Sequence, residues 1–118
     1  MPATQRQSTW SETAAGSVNG ALTVTKAAVA NQRHVVTGFV VQSVHTGALG
    51  NAGALTVTIK SAASVIFTDY IPPAFPFNGR LEIMFPIPIV AGENEAITLN
   101  VPSVTVGQVN GTLLGYTT

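Results

Sequence analysis

The chain has no cysteine, so neither a disulfide framework nor a thiolate metal site is open to it, and its core must hold without staples. Charge is scarce as well. Charged residues make up 8% of the sequence, against roughly 25% in an average soluble protein. Five Lys or Arg balance five Asp or Glu, for a formal net charge of zero. That leaves no basic field to neutralise phosphates or anionic lipid headgroups, so direct nucleic-acid binding is not expected. With so little repulsion of either sign to keep copies apart, the composition points to built-in assembly. No window approaches about 18 consecutive apolar residues, and the start, MPATQRQSTWSE, lacks the charged opening and apolar block of a secretion signal. Synthesis in a cytoplasm, with no membrane span, is the expectation. Helical periodicity is missing too.

What the sequence does have is valine, threonine and punctuation. Hydrophobic residues are 46% of its 118 residues, enough for the core of one ordinary domain. Gly, Pro and Asn interrupt the apolar segments every ten residues or so, as in a sandwich or barrel of short strands. The pattern predicts strands over Ala21–Ala27, Arg33–His45, Ala54–Lys60, Ser64–Ile71, Arg80–Phe85, Glu95–Val101, Ser103–Val109 and Thr112–Thr117. In ALTVTIK, Leu55, Val57 and Ile59 alternate with Thr56, Thr58 and Lys60, the mark of a strand with one buried face; Ile97, Leu99 and Val101 repeat it. RHVVTGFVVQSVH is apolar on both parities, with Val35, Phe39 and Val41 opposed to Val36, Val40 and Val44. It is either a central strand or one whose outer face a partner covers.

Three Asn-Gly pairs, at Asn19, Asn78 and Asn110, supply the positive φ angles of tight turns. Proline donates no backbone hydrogen bond, so Pro86 and Pro88 place Ile87–Val90 on a sheet edge or at a crossing between sheets. IPPAFPFNGR, residues 71–80, is a second Pro-rich connection whose Phe75 and Phe77 are expected to pack on something. The expected organisation is a polar N-terminal arm over residues 1–17, followed by a sandwich domain over residues 18–118.

Candidate chemistry is sparse. His34 and His45 fall on opposite faces of one unbroken strand, so they do not share a metal ion, and each is expected to be a lone polar residue near a strand end. The carboxylates are Glu12, Asp69, Glu82, Glu93 and Glu95. Glu93 and Glu95 suggest a calcium site or a glycosidase pair, but acidic residues beside a turn glycine are expected to be solvated turn charges. Asp69 and Glu82 lie within apolar strands, where pairing with Lys60 or Arg80 offsets the cost of an isolated charge. There is no nucleophile elbow, phosphate-binding glycine loop or zinc-protease helix, and no cofactor or metal is expected. Asn110-Gly111-Thr112 fits a glycosylation sequon but serves better as a hairpin turn. Trp10, the one tryptophan, either folds back on its own domain or anchors the arm to a neighbour, in company with Arg6.

A short, cysteine-free, Val- and Thr-rich chain with a Trp-bearing polar leader, the strand RHVVTGFVVQ, the segment LTVTIKSAASVIFTDY, the FPIPI edge and a GYTT end resembles the small structural proteins of tailed bacteriophages. Some of these are head decoration, or cement, proteins. The resemblance spans most of the chain and implies an all-β fold: a single antiparallel β-sandwich of about eight short strands with jelly-roll connections. It also implies a homotrimer seated on the capsid surface of the virion, with the major capsid protein as partner, no direct nucleic-acid contact, no membrane and no catalysis. Arg6, Trp10, Phe75, Phe77, Val35 and Phe39 are the expected capsid or subunit contacts. A tail, baseplate or fibre component shares the composition. A carbohydrate-binding sandwich would display several aromatics, where only Trp10, Tyr70 and Tyr116 are available.

Overall fold

A computed structural model describes residues 8–16, 20–44, 55–71, 79–102 and 108–118. Among them the chain forms eight strands and no helix: β1 (Ser8–Ala15), β2 (Leu22–Lys26), β3 (His34–Val44), β4 (Leu55–Ser61), β5 (Ser64–Ile71), β6 (Gly79–Val90), β7 (Ile97–Val101) and β8 (Gln108–Thr117). They build two four-stranded sheets, ordered β1-β8-β3-β6 and β2-β7-β4-β5. First pairs with last, second with seventh, third with sixth and fourth with fifth, all antiparallel. Such nesting is a long hairpin rolled into a double sheet, which is the jelly roll.

Alternation along the strands sets the core. Val57 and Ile59 of β4, and Ile97, Leu99 and Val101 of β7, are each 0% exposed, while the threonines between them are only half-buried. Leu22 and Val24 meet them from β2, and Val36, Phe39, Val41, Val109 and Leu113 face them from the other sheet. Where β5 and β6 lie beside each other, Phe39, Phe67 and Phe85 form a triangle with ring centres 5.7, 6.0 and 5.0 Å apart. Tilted and edge-on aromatic pairs of this kind add about 0.5–1.5 kcal/mol each beyond area burial.

Strand β3 lies between β8 and β6, which accounts for its apolar residues on both parities: it is a central strand. Val35 and Phe39, expected at an interface, are 3% and 0% exposed. The domain's own packing buries both, so neither is free to contact a partner.

The region expected to be a polar arm contributes a strand. Ser8–Ala15 pairs with β8 along its whole length, without a register break. Trp10 and Ala14 turn toward the core, and the Thr13 and Thr112 hydroxyls meet across the ladder at 3.1 Å. The turn expected at Asn110-Gly111 is also absent, because β8 runs straight through it. Gly111 serves close approach between the sheets instead: a Cβ there would stand 2.8 Å from Leu22 Cδ2 of the facing sheet. Strand β6, expected to stop at Phe85, continues to Val90. Its pairing with β3 jumps from Gly38↔Met84 to Val36↔Ile89, so Phe85, Pro86, Ile87 and Pro88 stand opposite Thr37 alone. Because β6 is an edge strand, as the prolines predict, their missing N–H groups leave no ladder bond unmade on the outer side.

Candidate interaction surface

Trp10 occupies a place that only glycine could leave open. A Cβ on Gly115, its partner on β8, would fall 2.6 Å from the indole ring and 2.2 Å from the Val35 carbonyl oxygen. The indole Nε1–H donates to Thr117 Oγ1 at 3.0 Å. Beside it His34, 1% exposed, meets the indole edge-on with ring centres 5.8 Å apart. His34 Nε2 lies 2.7 Å from the Ala27 carbonyl oxygen and Nδ1 lies 2.8 Å from Thr117 Oγ1. A carbonyl only accepts, so the proton sits on Nε2. Nδ1 then accepts the Thr117 hydroxyl hydrogen, while the same oxygen accepts from Trp10. Every polar atom of the cluster is paired.

This cluster fastens β1 to the ends of β3 and β8, and it folds Trp10 back onto its own domain. Thr117→Val should strand the indole N–H and the His34 Nδ1 without partners. The expected loss is about 1–3 kcal/mol, read as a lower urea midpoint at unchanged slope. At the rim of the cluster, Lys26 Nζ lies 3.6 Å from Glu12 Oε1 and 5.7 Å from the centre of the Trp10 ring.

A second surface runs along β6. Met84, Ile87 and Val90 are 57%, 84% and 55% exposed, with Pro86 exposed between them. Nothing charged lies within this run, and the nearest ions on the strand, Arg80 and Glu82, neutralise each other at 3.0 Å. That pairing was expected for Glu82. Asp69 instead accepts the backbone N–H of Tyr70 at 2.8 Å.

Of the remaining candidates, Arg6, Phe75, Phe77 and His45 lie outside the described residues. Glu93 is exposed, whereas Glu95 is engaged: Ser61 Oγ donates to it at 2.9 Å and in turn accepts the Gly92 N–H at 3.0 Å. Among the described residues no three His, Asp or Glu gather where they would hold a metal ion, and no helix is long and apolar enough to cross a membrane. Met84, Ile87 and Val90 were not among the contacts expected from the sequence. For Ile87 and Val90 the signal was the FPIPIV run itself, where proline fixes an edge strand that has no second neighbour to cover them.

Fold and surface define a jelly-roll β-sandwich that presents a neutral, apolar rim on a proline-blocked edge. No family model matches the chain, and comparison with curated proteins and with solved structures yields no match.

Proposed function

We propose that this chain is a non-catalytic structural protein of a tailed-phage virion, one that binds the outside of the head and reinforces it against the pressure of the packaged DNA. The observation that carries the proposal is the rim of β6. Pro86 and Pro88 prevent that edge from being extended by another strand, so Met84, Ile87 and Val90 can leave water only by side-chain contact with a partner surface. Burying one such side chain fully is worth about 1.5–3 kcal/mol. That is modest for a single site. An oligomer touching several capsid subunits at once would add these contacts as avidity without any tight individual site. The charge-poor composition suits a permanently packed position, and the jelly roll is a fold that capsid proteins use, though it serves lectins and cupins too.

Ile87→Asp tests the rim directly. Ile87 is 84% exposed, so the variant should fold with an unchanged circular dichroism spectrum and melting temperature. Its binding to undecorated heads should weaken by at least about tenfold, the equivalent of 1.4 kcal/mol. Binding equal to that of the parent chain would remove β6 from the interface.

A further inference from the structure

We infer that β1 is a self-pairing edge, through which two copies of this chain join into one continuous sheet. This pairing does not depend on what the assembled protein binds. Among the described residues the two sheets have four edges, β1, β6, β2 and β5, and three of them are blunted in the ways that proteins use to prevent edge-to-edge association. Strand β6 has two prolines and a register break. Strand β2 is five residues long and ends in Lys26. Strand β5 carries Asp69, and its pairing with β4 shifts between Ile59 and Lys60. Strand β1 is eight residues long, regular, and free of proline, lysine and arginine; its one charge, Glu12, is paired with Lys26 at 3.6 Å.

The direction of its free hydrogen-bonding groups follows from the ladder. The Gly16 N–H donates to the Val109 carbonyl at 2.7 Å, one step beyond the Ala15↔Asn110 pair. Even-numbered residues of β1 therefore exchange bonds with β8, because bonded pairs alternate in an antiparallel ladder. The close Thr13–Thr112 contact agrees, since side chains approach most nearly at non-bonded pairs. The N–H and C=O groups of Thr9, Ser11, Thr13 and Ala15 thus point away from β8, and these four residues are exposed. Strand β1 ends its sheet, with no described strand beyond it.

A two-fold axis through Ser11 satisfies those of Thr9, Ser11 and Thr13. Ser11 pairs with Ser11 of the second copy and Thr9 with Thr13 in both directions, giving about six hydrogen bonds at two per bonded pair. This register also sets Glu12 of each copy opposite Trp10 of the other, on the face where Lys26 lies over the indole. Each Lys26 then serves its own Glu12 and its partner's. Centring the axis on Glu12 would oppose two carboxylates, which is unfavourable. The pairing is isologous, so it closes at two copies, in contrast to the trimer that the resemblance implies.

Light scattering during size-exclusion chromatography tests this. At tens of micromolar the chain should elute at twice its 12.2 kDa mass. Ser11→Pro removes only an outward N–H, and Ser11→Lys keeps every bond to β8 while opposing two ammonium groups at the axis. Both should raise the dimer dissociation constant by at least about tenfold with an unchanged circular dichroism spectrum, and the lysine variant decides the matter if proline disturbs the fold. A single-chain or three-chain mass for the parent protein, or a dimer that survives Ser11→Lys unweakened, overturns the proposal.

Discussion

Phe39→Ala is expected to be the most damaging single substitution in the described core, at about 3–5 kcal/mol. Phe39 is 0% exposed and belongs to the triangle with Phe67 and Phe85. Removing its ring takes an aromatic partner from both others and opens a cavity where β5 and β6, the edges of the two sheets, come together. Neighbouring strands are held by ladders and cannot simply collapse into the space. Against a typical stability of about 5–15 kcal/mol for a whole domain, such a loss would leave a protein that unfolds at low denaturant. Chemical unfolding followed by tryptophan fluorescence reads it out. A loss below about 1 kcal/mol, well under the range for core aromatics, would mean that the triangle does not bear on stability.

The second large effect concerns the N-terminal region. If residues 2–12 formed a detachable arm, deleting them would weaken partner binding and leave the domain intact. The pairing of β1 with β8 predicts the opposite. Deletion removes Trp10 together with its bond to Thr117 and its contact with His34, and it takes Ser8–Glu12 from the ladder. Loss of the tryptophan side chain alone is worth about 3 kcal/mol or more, and β8 would become an edge with its hydrogen-bonding groups exposed. The truncated chain should therefore melt far below the full one or fail to fold. A truncated chain with the parent melting temperature would show that β1 is dispensable to the sandwich.

How much of this was legible in the sequence differs by segment, for physical reasons. Strands β4 and β7 follow from two-residue periodicity, since each has one face on the core and threonine or another polar residue on the other. Pro86 and Pro88 marked an edge correctly because the lack of an N–H is a constraint that no neighbour can relieve. Strand β1 was hidden because STWSETAA has only Trp10 and Ala14 to turn inward, too faint an alternation to stand out from a polar leader. Asn110-Gly111 misled in the other direction. A turn preference is local, whereas Gly111 is required by Leu22 of the opposite sheet, distant in sequence. Val35 and Phe39 were sound as apolar residues and wrong as contacts, since periodicity cannot tell a central strand from one covered by a partner. His34 looked like an isolated polar residue; its partners, Ala27 after β2, Thr117 on β8 and Trp10 on β1, come together only in the folded sandwich.

The role we propose is to coat and strengthen a phage head. Its most direct test mixes the purified chain with undecorated heads and measures co-sedimentation together with the temperature at which DNA is released. The protein should sediment with the heads in a saturable amount and raise the release temperature. Failure to do either, with antibodies to the protein labelling tails in electron micrographs instead, would contradict it.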